Sequence, residues 1–215
     1  MVDIGEDAGR RTVAAITDMS QPLGNAVENA LEVIEAIETL KGNGPADITE
    51  LSEKLAGIMI YLGGRAKTPE DGHDMAREAL KNGTGLYQLK RFIEAQGGDP
   101  LVCDDYRLFP QASRKKEIIA EEDGYVAGIL ARTIGLASQH TGAGRATKDD
   151  TIDLAAGIYL HKKVGDRVTK GESLATIYGN DEGKLLAALQ EARKAFSFSD
   201  KPVDKPQLIK TIIGL

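Results

Sequence analysis

The residues best placed to do chemistry in this 215-residue chain are few, and most of them lie between Asp18 and Glu35. The run 11–17, RTVAAIT, is short and mostly apolar, which predicts a buried strand of the kind found in a parallel sheet. The turn Gln21-Pro22-Leu23-Gly24 follows, and then a helix. In open α/β sheets ligands collect at the carboxyl ends of strands, where such a turn sits. Pro22 stiffens the turn and removes one donor, and Gly24 permits a backbone geometry that other residues resist. A turn of this kind can aim carbonyl oxygens at a cation. A carboxylate from the following helix can complete the shell, because hard cations take oxygen ligands. The same residues also read as a structural strand-to-helix turn with a solvated acidic face.

Other reactive groups are scattered. His73, His140 and His161 stand far apart and show no metal-binding spacing. His161 reads as an exposed strand position. His140 precedes Gly142-Ala143-Gly144-Arg145, which reads either as an anion-binding loop or as a flexible loop facing a cleft. No strand-to-helix junction of the phosphate-binding kind precedes that loop. Cys103 is the single cysteine, so no intrachain disulfide can form, which fits a reducing compartment. Asp104 and Asp105 beside it oppose thiolate formation and argue against a nucleophile. With a net charge of −6, and no basic run longer than Arg114-Lys115-Lys116, the chain offers no field for nucleic acid. That triplet reads as a solvated loop before a strand. No apolar run is long enough to span a bilayer and the first ten residues carry no signal-peptide pattern, so a cytoplasmic location is expected.

The elements that must hold these residues fall into two kinds. MVDI before Gly5 reads as the last turn of a helix whose beginning would lie upstream, placing Met1 inside a longer parent chain. Val27, Ala30, Leu31, Ile34 and Ile37 share one helical face, with Glu28, Glu32, Glu35 and Glu38 off it. Further helices are predicted from Asp47 (capped by Asp47 or Thr49) to Leu62, from the Thr68-Pro69 start to about Gly83, and from Gly85 to Ala95. Asp99 to Lys116 is irregular and reads as a connection between domains. After it the period changes to short strands around Ile118–Ala120, Tyr125–Ile129, Gly157–Leu160 and Leu174–Ile177. A helix from Lys184 to Ala195, an extended tail and a closing edge strand from Leu208 to Ile213 complete the chain. One strand and four helices cannot complete a doubly wound sheet. Residues 1–100 therefore read as the tail of an α/β domain, and residues 105–215 as an α+β domain.

The turn TDMSQPLG, the helix Asn29-Ala30-Leu31-Glu32-Val33 and its exit Leu40-Lys41-Gly42 resemble the pyrimidine-nucleoside phosphorylases and thymidine phosphorylases. The likeness continues through Asp150-Thr151-Ile152-Asp153-Leu154 and the Gly165-Asp166…Gly171 turns, and the chain is similar to the C-terminal half of such an enzyme. The resemblance implies an α/β phosphorylase domain tail followed by a C-terminal α+β domain with a barrel-sandwich, hammerhead-like β core. It implies reversible phosphorolysis of uridine, thymidine or deoxyuridine to base and (deoxy)ribose 1-phosphate in nucleoside salvage, by a homodimer without an organic cofactor. A thymidine-specific enzyme is the alternative within the family. It also implies a potassium ion held by the backbone oxygens of Leu23 and Ala26 and the carboxylate of Glu35, with further ligands from a phosphate loop upstream. The family's phosphate- and base-binding groups lie upstream too. No catalytic residue is assigned here, Arg145 and Lys170 are not those groups, and the isolated chain is expected to be inactive. Gly165 to Ile177 also looks like half of a lipoyl or biotinyl carrier domain. A carrier needs a modifiable lysine at an exposed hairpin tip, and Lys148, in Ala146-Thr147-Lys148-Asp149, stands in a poor context for it.

Overall fold

The computed structural model describes every residue except Ala146. The chain forms two compact units, one of residues 1–18, 37–98 and 207–215, the other of residues 19–36 and 99–206. One crossing between the units falls between residues 98 and 99, at the start of the irregular Pro- and charge-rich segment 99–116. The crossings at 18/19, 36/37 and 206/207 have no such signal, and they put the Gln21–Gly24 turn in the same unit as the β region.

In the first unit, α1 (Val2–Asp7) runs through Gly5 rather than ending there. Strand β1 (Ala14–Thr17) lies antiparallel to β9 (Ile209–Ile213), with Ala14 opposite Ile213. This corrects the expectation of a parallel strand covered on both faces, since Ile16 is 48% exposed. A four-residue apolar run is too short for its periodicity to separate one-sided from two-sided burial. Helices α3 (Ala46–Leu62), α4 (Pro69–Lys81) and α5 (Thr84–Ala95) supply the bulk. Thr68 caps α4 as its spacing predicts, accepting the Asp71 N–H at 3.0 Å. Neither Asp47 nor Thr49 caps α3. Its N-cap is Pro45, and the Thr49 hydroxyl instead donates to the Pro45 carbonyl at 2.8 Å. Helices α3 and α4 meet through Gly57 and Gly72, both buried, where a Cβ on Gly72 would lie 2.2 Å from the Gly57 carbonyl oxygen. Glycine at both positions lets the backbones approach this closely.

Helix α2 (Ala30–Leu40) begins in the second unit and ends in the first. The second unit is built on two antiparallel sheets. One has the order β2-β5-β7-β3, comprising Ala26–Val27, Gly157–Leu160, Ser173–Gly179 and Arg114–Ile119. The other has the order β6-β4-β8, comprising Arg167–Val168, Gly124–Ile129 and Phe196–Ser199. Ile118, Ile158, Leu160 and Ile177 from the first sheet share a core with Val126, Ile129 and Val168 from the second. Helices α6 (Ala131–His140) and α7 (Glu182–Arg193) close it with Ile134, Ala137, Leu185 and Ala188. Burying each large aliphatic side chain is worth about 1.5–3 kcal/mol, so this core carries the unit. Asp181 caps α7 through the Lys184 N–H at 2.8 Å.

Three readings change here. Arg114-Lys115-Lys116 is not a loop but the first half of β3, paired with Gly179, Tyr178 and Ile177 of β7. Residues 131–140 are a helix inside what reads as a strand region, and 196–199 are a strand where none is expected. Helix α6 hides because Gly135, a poor helix former, weakens its pattern and only a narrow face, Ile134, Ala137 and Ser138, is buried.

Candidate functional site

The turn after β1 is organised around one carboxylate. Glu35 lies on α2 and is 7% exposed, so the reading of a wholly solvated acidic face does not hold at this position. Its Oε1 accepts the N–H of Asn25 at 2.8 Å and of Ala26 at 3.0 Å. Gly24 has φ +66°, and a Cβ there would lie 2.1 Å from Glu35 Oε2. Glycine at 24 thus serves both the left-handed backbone and the close approach of the carboxylate. The Asn25 carbonyl accepts the Leu160 N–H at 2.7 Å, on the β5 side. Ala26, opposite Tyr159 of β5, sends its N–H to Glu35. Ala26 and Glu35 are brought together; Leu23, half-buried, sits one residue before Gly24. Backbone oxygens and a single carboxylate are a donor set that suits a hard monovalent cation. Among the described residues no group of three or more His, Cys, Asp or Glu side chains gathers as a metal cluster.

Two anchors hold the turn. Lys163, half-buried after β5, donates through Nζ to the carbonyls of Pro22 and Gly24, the latter at 2.6 Å. The Val164 N–H donates to Gln21 Oε1 at 3.0 Å and the Ala131 N–H to the Ser20 carbonyl at 3.1 Å. On the far side, Glu28 (φ 72°) and Asn29 (φ 53°) are consecutive non-glycine residues in the left-handed region. Asparagine tolerates that conformation, while glutamate meets a cost of about 1–2 kcal/mol. The surroundings enforce it. Asn29 Nδ2 donates to the carbonyls of Ala143 at 2.8 Å and Asp153 at 3.1 Å, and the Ser138 hydroxyl donates to Glu28 Oε2 at 3.3 Å. Burial pushes the Glu28 carboxyl above its ordinary value; the Ser138 bond opposes this and the Glu32 charge adds to it.

The remaining candidates do not join this site. His73 lies in the first unit, its Nε2 3.4 Å from Glu53. His140 ends α6 and lines a cleft of about 450 Å³ with Gln139, Gly142, Gly144, Thr151 and Lys184. His161 is exposed and bonds the Thr176 hydroxyl at 2.7 Å, part of a strip in which Glu117 accepts the hydroxyls of Ser173 and Thr176. Those two bonds, the Ser173 bond foremost, hold the Glu117 carboxyl below its ordinary value against partial burial, helped by the charges of His161 and Lys115. Cys103 is wholly buried, the setting of an inert thiol. Arg145 follows the Gly142–Gly144 loop, and Lys170 is exposed with its N–H on Asp123 Oδ1 at 2.7 Å. Of the segment Ala146-Thr147-Lys148-Asp149, Ala146 lies outside the described residues. Lys148 is exposed in the connection between α6 and β5, beside a turn closed by Thr147 and Asp150, and is not at a strand-to-strand tip.

Lys163 is the site residue that sequence reasoning misses. It stands 139 residues from Gly24, and a lysine in a Lys-Lys-Val-Gly-Asp turn gives no sign of a distant partner. Ser138 hides equally well in an unrecognised helix.

Known proteins agree with this architecture at both ends. Residues 1–86 match the family described as glycosyl transferase family, a/b domain, and residues 125–199 match the pyrimidine nucleoside phosphorylase C-terminal domain. The chain is 51% identical over 209 residues to a pyrimidine-nucleoside phosphorylase of Geobacillus stearothermophilus, covering 97% of this chain and 48% of that protein. The protein of the same name from Bacillus subtilis (strain 168) is 51% identical over 215 residues, 99% of this chain and 49% of its own length. That from Staphylococcus aureus (strain USA300) is 50% identical over 213 residues, again 99% and 49%. The chain thus spans about half the length of the curated relatives it matches. With half of its residues shared along nearly its whole length, and with both domain types in the expected order, the chain belongs to the pyrimidine-nucleoside phosphorylase family.

Proposed function

We propose that this chain is part of an enzyme that carries out reversible phosphorolysis of pyrimidine nucleosides. Phosphate attacks the anomeric carbon, the glycosidic bond breaks, and the base departs with the bonding pair, leaving (deoxy)ribose 1-phosphate. The observation that carries this reading is the 50–51% identity, over 97–99% of the chain, to proteins named pyrimidine-nucleoside phosphorylase. The chemistry needs an anion cradle for phosphate and cationic donors for the departing base. We assign both to the half of the relatives' length that this chain does not span, and expect the 215 residues alone to be inactive.

What this chain contributes is scaffolding. The Gln21–Gly24 turn, locked by Glu35, Lys163 and Ser20, would offer the Leu23 and Ala26 carbonyls and the Glu35 carboxylate to a potassium ion. When bound, that ion would supply a fixed positive charge for ordering the phosphate loop. Two antiparallel sheets around one shared core support reading the second unit as a barrel-sandwich domain. A homodimer and a cytoplasmic setting complete the proposal; no described helix is long and apolar enough to cross a membrane.

The test is complementation. The chain is assayed for release of base from uridine, deoxyuridine and thymidine with phosphate, alone and together with the half of the Geobacillus stearothermophilus protein that it does not match. No turnover alone and turnover in the mixture are expected. Turnover by the isolated chain would overturn the scaffold role, and an inert mixture that nonetheless forms a stable complex would overturn the phosphorylase reading. Turnover of thymidine alone would select the thymidine-specific alternative.

A further inference from the structure

The Gln21–Gly24 turn already contains a cation. Two of its carbonyls, Pro22 and Gly24, converge on the Lys163 ammonium, at 2.6 Å for Gly24. Backbone carbonyls that converge on one positive centre can also replace the hydration shell of a small monovalent ion. Here Pro22, with its fixed φ, and Gly24, at φ +66°, shape the convergence. The stem of the lysine starts from a firm base. The Lys163 N–H donates to Asp166 Oδ2 at 2.8 Å, the Asp166 N–H returns to the Lys163 carbonyl at 3.0 Å, and Val164 is 8% exposed. The neighbouring Val164 N–H holds Gln21 Oε1, and the Leu160 N–H holds the Asn25 carbonyl. The end of β5 and the connection that follows it thus fix the turn on both sides of Leu23.

We propose that Lys163 is a positioning residue, the tethered cation of this turn. Its ammonium orients the Pro22 and Gly24 carbonyls and so keeps Gly24 against Glu35 and the Asn25 and Ala26 N–H groups on the carboxylate. The carbonyls that hold the ammonium, Pro22 and Gly24, alternate with Leu23, which the resemblance reads as a potassium ligand together with Ala26 and Glu35. The chemical class of ligand that fits the place of the ammonium is a small monovalent cation, ammonium or potassium. The inference rests on the geometry of the turn and not on the phosphorylase reading, and its test contains no phosphorolysis.

The experiment compares the wild-type chain with Lys163→Ala, Lys163→Met and Lys163→Arg in choline, sodium, potassium and ammonium chloride at equal ionic strength. Thermal midpoints and amide exchange at Asn25 and Ala26 are read. In choline chloride, exchange at these two amides is expected to speed up about tenfold or more in Lys163→Ala and Lys163→Met, the factor carried by a lost hydrogen bond to a charged group. Lys163→Arg, which keeps the charge, should recover part of the protection. Ammonium or potassium ions should restore the Lys163→Ala variant saturably and beyond any gain seen in wild type. A cation bound by Leu23, Ala26 and Glu35 would shift both proteins alike. Lys163→Met with unchanged exchange overturns the proposal. So does a destabilised Lys163→Ala that responds equally to all four salts, because packing of the stem alone would then explain the loss. If Lys163→Ala does not fold, Lys163→Met, which keeps the apolar stem, carries the same comparison.

Discussion

Replacing Gly24 with alanine tests the centre of the turn. The substitution does two things at once. At φ +66° it places an L-residue in the left-handed region, which costs about 1–2 kcal/mol. It also puts a Cβ 2.1 Å from Glu35 Oε2 and 2.9 Å from its Cδ. The carboxylate cannot stay, and its retreat weakens the bonds from the Asn25 and Ala26 N–H groups at 2.8 and 3.0 Å. Hydrogen bonds to a charged group are worth about 1.5–3 kcal/mol each, so losing the better part of one gives a total near 3–4 kcal/mol. Gly171→Ala separates the two terms. Gly171 has φ +89° in the same unit, and a Cβ there would meet nothing within 4 Å, so it should show the backbone cost alone, about 1–2 kcal/mol. Urea unfolding, with amide exchange of β5 and β7 reporting on the second unit, measures both. Because the unit's whole stability is of order 5–15 kcal/mol, the difference is readily seen. In a double-mutant cycle, Glu35→Ala should absorb about 2 kcal/mol of the Gly24→Ala cost, since the atom the methyl strikes is gone. If Gly24→Ala costs no more than Gly171→Ala, Glu35 is not pinned against residue 24 and the account of the turn is wrong.

Two further substitutions carry opposite signs. In the first unit, Gly57→Ala should destabilise even though alanine favours a helix by about 1 kcal/mol over glycine, because its Cβ would lie 2.6 Å from the His73 nitrogen on α4. Gly135→Ala in α6, with nothing within 4 Å, should stabilise by up to about that amount, and thermal midpoints that rank the two the other way would refute the close-packed crossing. Glu28 supplies a pH dependence. Its folded carboxyl titrates above the ordinary 4.5, so between 4.5 and that raised value the folded state binds more protons than the unfolded one and stability falls as pH rises. Glu28→Gln should therefore gain on wild type at neutral pH, with the gain shrinking as pH falls toward 4.5; urea midpoints whose difference widens on acidification would contradict it.

What the sequence makes legible divides along physical lines. The helices of the first unit carry their signals locally. Thr68-Pro69 opens α4 and Ala30, Leu31, Ile34 and Ile37 mark one face of α2, so spacing suffices there, whereas Val27, read with them as helical, lies in β2 opposite Ile158. The partner of β1 is β9, almost two hundred residues away, and a strand's own residues do not name the chain it pairs with. Arg114-Lys115-Lys116 misleads for the same reason, since three basic residues look like a loop until β7 and Glu182 are seen beside them.

The turn itself shows why a motif can be recognised before it is understood. Leu23, Ala26 and Glu35 are close in sequence, and their neighbours Pro22 and Gly24 give a local reason to expect carbonyls aimed at something positive. The positive group present in the structure is Lys163, delivered by a different sheet connection. Local chemistry therefore allows a cation at the turn beside a purely structural reading, while only the fold reveals that the Pro22 and Gly24 carbonyls already hold an ammonium. A site whose Pro22 and Gly24 oxygens are held by a tethered ammonium has its geometry set before any ion arrives, so binding by Leu23, Ala26 and Glu35 would need little rearrangement of this segment. The cost of assembling the site then falls on whatever completes it from outside these residues.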